Sequence, residues 1–197
     1  MTRAPREAGF SLIETLTVTA VLAVVLLTVG QLADRMQLGY LSQRRQLEAL
    51  DNARPALDLI TRLVRMAGGN PRGLPGVRAV DPDPDGNGAL DSIALQADWN
   101  PPNGSFADPW ENVAFSVRDN ALVKVEAGDP PQGVLLGTCV AALRFRYLDA
   151  DLTPLADPIA TPDAIAYVSV TLILRDAAPH APPPVELASG AALRGRE

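Results

Sequence analysis

The sequence predicts an α+β fold in which one long N-terminal helix, membrane-spanning at first and amphipathic afterwards, packs on an antiparallel β-sheet head. Three observations carry that expectation. The first part of the chain is continuously apolar, the next part repeats its apolar residues at helical spacing, and the part beyond Pro71 alternates with the period of two that marks strands. The 197 residues suffice for one domain with a real core plus an accessory segment. Hydrophobic residues make up 47% of the chain but aromatics only 5%, so the apolar content is mostly Ala, Val and Leu, which suits a long helix and lean strands.

Between Phe10 and Ala33 the only ionisable side chain is Glu14, and Val18 to Leu27 is apolar or nearly so throughout. About 20 such residues cross a bilayer as a helix. Arg3 and Arg6 precede the run, and the positive-inside rule then leaves the N-terminus in the cytoplasm, with everything after Asp34 on the other side. A cleaved secretory signal fits poorly, because the run is long and Gln31-Leu32-Ala33 offers no Ala-x-Ala site. A plain signal anchor explains length and flanking charge but not Glu14. A carboxylate inside a spanning helix costs on the order of 2.5 to 3.5 kcal/mol, so a partner for it is expected.

After Asp34 the apolar residues Met36, Tyr40, Leu47, Leu50, Leu57, Ile60 and Val64 recur among Arg, Gln and Glu, as on an amphipathic helix over 34–70. Pro55 cannot donate to the helix ladder, which predicts a kink or break near Asp51-Asn52, where Asp51 could cap a second helix. Gly68-Gly69-Asn70-Pro71 stops the helix. A β-rich head follows over 71–176. Its expected strands are Leu90 to Ala97, Val113 to Arg118, Ala121 to Val125, Val140 to Tyr147 and Ala164 to Leu174, with Asp119-Asn120 as a two-residue hairpin turn. Pro101 to Gly104 and Pro130 to Gly133 read as loops, and 177–197 as a Pro-rich flexible tail.

The chemistry-bearing residues are few. Cys139 and His180 are the only cysteine and histidine, which excludes an internal disulfide and leaves no basis for a Cys-His dyad or a Cys/His metal cluster. Cys139 reads as a small buried thiol in an apolar strand, and His180 as part of the Pro-rich tail. No catalytic residue is assigned, and no reaction is expected of this chain. The net charge of −6 repels phosphate backbones, so nucleic acid is not expected as a direct partner.

One loop carries a metal-like pattern. From Asp83, oxygen-bearing side chains fall at positions one, three and five (Asp83, Asp85, Asn87), glycine at six and Asp91 at nine, matching the front half of a calcium loop. Alternate carboxylates on a tight turn converge on one hard cation. Ala94 stands where the bidentate glutamate belongs, so a distant residue or a water would have to complete the shell. The alternative is an acidic, proline-stiffened turn that keeps the loop soluble. Calcium, if bound, would rigidify this loop.

Gly9-Phe10-Ser11-Leu12-Ile13-Glu14, with its basic leader and apolar run, resembles the processing site of type IV prepilins and type II secretion pseudopilins. The resemblance implies that residues 1–9 are a leader removed by a membrane-bound prepilin peptidase after Gly9, with methylation of the new N-terminal residue Phe10. It also implies that Glu14, fifth in the mature chain, pairs with the N-terminal amine of a neighbouring subunit. A carboxylate facing an ammonium in low dielectric acts as a register device more than as glue. Cleavage removes Arg3, Arg6 and Glu7 and takes the net charge from −6 to −7.

The stretch from Asp51 to Gly68 is similar to the second helical block of PilW-type minor pilins and, more loosely, of J-type minor pseudopilins. Members of those groups often carry an Arg-Asp pair before the hydrophobic residue and Arg that lead to Met-Ala-Gly. Here Leu63 takes the place of that aspartate, ahead of Val64-Arg65-Met66-Ala67-Gly68, which weakens the choice between subfamilies. The order of strands in the head also resembles minor pilin heads. The expected role is a minor pilin that helps initiate or cap a type IV pilus, with the J-type pseudopilin of a type II secretion system as the alternative. Expected partners are other pilins or pseudopilins along the helix from Phe10 to Ala33, the prepilin peptidase and the inner-membrane assembly machinery. The expected location is the bacterial inner membrane, head in the periplasm, and then the pilus or pseudopilus.

Overall fold

The computed structural model describes residues 11–73, 76–99, 102–126, 133, 135–136, 139–175 and 183–193. Gly9, Phe10, His180 and most of the Pro130 to Gly133 loop lie outside them. Helix α1 runs unbroken from Leu12 to Met66, 55 residues, or roughly 80 Å at 1.5 Å per residue. Along its apolar part Thr15, Thr17, Thr19 and Thr28 each donate a hydroxyl to a carbonyl three or four residues back, so these polar groups are satisfied within the helix.

The break expected at Pro55 does not occur, and α1 passes through it. Asp51 and Pro55 sit on the exposed side of the helix, so the carbonyl that loses its donor faces water. On the opposite side Ala53, Ala56, Leu57, Ile60, Leu63 and Val64 are buried against the head, and burial at 1.5 to 3 kcal/mol per large side chain, on the order of several kcal/mol in all, outweighs a proline cost of about 3 kcal/mol. The helix stops where expected: Gly68 adopts φ +79 and donates its N–H to the Gln96 carbonyl (2.9 Å).

The head consists of two antiparallel sheets rather than the single sheet expected. Strands β1 (Val80–Asp81), β2 (Ile93–Gln96), β3 (Asn112–Arg118), β4 (Ala121–Glu126) and β5 (Leu135–Leu136) form a meander in that order. The turn between β3 and β4 is the predicted one, with Asp119 and Asn120 both left-handed (φ 50 and 60) and Arg118 opposite Ala121. Strands β6 (Val140–Leu148), β7 (Tyr167–Leu174) and β8 (Val185–Ala192) make the second sheet. Cys139 is not inside a strand as expected. It is half-buried, has φ +64, and stands just before β6 at the passage from one sheet to the other. The two sheets are stitched at single points, where Val140 N–H donates to the Asn120 carbonyl and Phe145 N–H to that of Leu90.

The expected flexible tail contains strand β8, paired with β7 along its whole length from Tyr167 opposite Ala192 to Leu174 opposite Val185. Its Ala-rich composition has little strand propensity, and pairing with β7 and packing beside α1 supply what propensity does not. The second half of α1 lies on the inner face formed by Val168, Val170 and Leu172, and the core continues through Leu143 and Tyr147 to Ile93, Phe115 and Leu122.

Candidate functional site

Two features bear on function: the uncovered half of α1, and the acidic loop. From Leu12 to Leu38 every residue of α1 is exposed, among them Leu16, Val21, Leu22, Leu26 and Leu27. The first buried residue is Ser42, and continuous packing begins at Ala49. Roughly 40 Å of helix therefore stands clear of the head, and its apolar part from Leu12 to Ala33, about 33 Å at 1.5 Å per residue, matches the roughly 30 Å of a bilayer core. Among the described residues α1 is long and apolar enough to cross a membrane. Glu14 sits in its first turn, the only acid there, where the unpaired N–H groups of a helix start favour negative charge. Its sequence-predicted companions Gly9 and Phe10 lie outside the described residues.

The structure brings Asp83, Asp85, Asn87 and Asp91 together in the turn between β1 and β2. Asp83 accepts the backbone N–H groups of Asn87 (3.1 Å) and Gly88 (3.0 Å). The Asn87 amide donates to Asp85 (3.0 Å) and Asp91 (3.3 Å), its carbonyl oxygen accepts from Ala89, and Ser92 donates to Asp85 (3.2 Å). Backbone donation, first from Gly88, holds the exposed Asp83 carboxyl below the usual range. These oxygens are engaged by N–H and O–H donors. Ala94, at the twelfth position, pairs with Asp81 and Ala114 in the sheet. Among the described residues no three His, Cys, Asp or Glu side chains converge as a metal site. Calcium takes six to eight oxygens, and with Ala94 at the twelfth position the bidentate carboxylate of the pattern is missing.

The loop is tied to the core by Tyr147. Tyr147, 1% exposed on β6, donates its hydroxyl to the Pro82 carbonyl at 3.5 Å, and burial, aided by the charges of Asp81 and Asp83, pushes its ionisation up.

A second polar network was not visible in the sequence. Asp98 and Glu111, both fully buried, flank the loop that displays the half-exposed Trp99 and Trp110. Asp98 accepts the N–H groups of Asn103 (3.0 Å) and Gly104 (3.1 Å), and Glu111 that of Trp99 (2.9 Å). Lys124 pairs with Glu126 and lies 3.9 Å from the centre of the Trp110 ring, while Glu126 accepts the N–H of Trp110 at its left-handed φ of 70. The near-mirrored Asp98-Trp99 and Trp110-Glu111 were the available signal. The arrangement fixes a loop.

No protein-family model matches this chain, and no curated protein matches it.

Proposed function

We propose that this chain is a minor pilin, a membrane-assembled subunit that helps initiate or cap a type IV pilus. The observation that carries the reading is Glu14, the single ionisable side chain between Phe10 and Ala33, in the part of α1 that is wholly uncovered by its own head. An unpaired carboxylate there is costly, and the Gly9-Phe10 junction just upstream supplies the expected counter-charge: a new N-terminal amine on a neighbouring subunit. The division of α1 supports the same reading, because the half that the head leaves bare is the half that neighbours would cover. Inner-membrane insertion, N-terminus inward, follows from Arg3 and Arg6.

Mass spectrometry of the mature N-terminus tests the reading. A chain beginning with methylated Phe10 supports it, and an intact Met1 or a cut near Ala33 refutes it. Glu14→Ala should still insert and be cut, while its incorporation into fibres falls by more than about tenfold, the effect of leaving one buried charge unmatched. Normal incorporation would sink the register argument.

Leu63, standing where the subfamilies usually carry aspartate, favours keeping a second reading, a J-type minor pseudopilin of a type II secretion system. Deleting the gene separates the two: loss of pilus-dependent motility marks the first, and loss of exported enzymes the second.

A further inference from the structure

The sheet β6-β7-β8 has one face on α1 and one open to solvent. On the open face Arg144 lies opposite Thr171 and then Ala188, and Arg146 opposite Ser169 and then Gly190. Both arginines are exposed and form no ion pair among the described residues. Two adjacent guanidiniums are conspicuous on a chain of net charge −6. One row away the exposed Glu186, opposite Ile173, is the acid on this face, while beside Arg146 the surface is low: a side-chain carbon at Gly190 would lie 2.5 Å from the Tyr167 hydroxyl, so the Tyr167 ring rests flat across the glycine. A flat platform edged by planar, bidentate donors suits carboxylates on a protein surface.

The acidic loop lies at the edge of the same sheet. Phe145, between the two arginines, donates its N–H to Leu90 (2.8 Å), the residue before Asp91. A basic row and an acidic loop side by side form a self-complementary surface, since a two-fold rotation about their boundary sets each on the other's counterpart. We propose that this face docks a second copy of the chain, Arg144 and Arg146 of one copy pairing with Asp85 and Asp91 of the other, and the reverse. The proposal does not depend on the pilin reading, because it concerns the head alone.

Exposed ion pairs are individually weak and salt-sensitive, so the association is charge-steered and reversible. Sedimentation velocity of the full chain in non-ionic detergent, at low and high salt, tests it with two charge reversals, Arg144→Glu with Arg146→Glu, and Asp85→Lys with Asp91→Lys. The parent should associate in low salt and dissociate in high salt. Each double variant alone should associate at least about tenfold more weakly, because like charges then face each other. The two mixed should regain the parent's association, since both contacts become attractive again. Mass independent of salt and of the reversals would overturn the proposal, as would mixing that restores nothing between variants whose circular dichroism and melting match the parent. A monomeric parent that binds phosphatidylglycerol vesicles through these arginines would likewise overturn it, in favour of a lipid surface.

Discussion

The two halves of α1 both carry exposed or buried Val, Leu and Ile, and these meet opposite fates. Ile60 and Val64 in the second half are fully buried, while Val21 and Leu22 in the first are 64% and 54% exposed. The difference lies in how the apolar residues are arranged around the helix and in what covers them. The second half carries its apolar side chains in a stripe flanked by Arg and Asp and finds a sheet to cover that stripe. The first half is apolar all round, which no single sheet could cover. A helix of that kind belongs among lipids or other helices.

Substitutions should break this contrast in order of size. Ile60→Ala, in a site with no exposure, should cost roughly 2 to 5 kcal/mol of head stability, read from the thermal or denaturant unfolding of the full chain in detergent. Pro55→Ala should act in the opposite direction, adding up to about 3 kcal/mol, because it restores a donor inside the packed half. A destabilised Pro55→Ala would mean that the proline shapes the helix to the sheet. Alkaline pH probes the head on which that half rests. Tyr147 ionises with more difficulty folded than unfolded, so its contribution is complete below the unfolded value of about 10 and is lost as pH rises above it. The loss should approach about 1.4 kcal/mol per pH unit, and Tyr147→Phe should flatten it. Val21→Ala, in the bare half, should leave head stability unchanged within about 0.5 kcal/mol. Millimolar calcium should also leave the melting temperature unchanged, because Ala94 leaves the loop without its bidentate carboxylate and the loop is already braced by its own N–H and O–H donors. A rise that Asp83→Ala with Asp85→Ala abolishes would show that the ion displaces them.

Much of the architecture was legible because local signals are strong there. The uninterrupted apolar run, the stop at Gly68 and the Asp119-Asn120 turn are each dictated within a few residues, by transfer energy, by the need for a left-handed backbone and by hairpin twist. Of the candidate site, the placing of Glu14 on an apolar helix and the gathering of the four loop residues could be read from spacing. What those loop oxygens accept could not, because hydrogen-bond partners are chosen by backbone geometry that spacing leaves open.

By itself the sequence determined the apolar helix, its single acid and the strand-rich head, all consequences of side-chain chemistry repeated at a fixed period. Only the tertiary structure decided that α1 continues through Pro55, that the strands divide into two sheets and that the tail supplies β8. It also set two arginines beside an acidic loop. Each of those outcomes depends on contacts between residues far apart in the chain, where burial and pairing outweigh local preference.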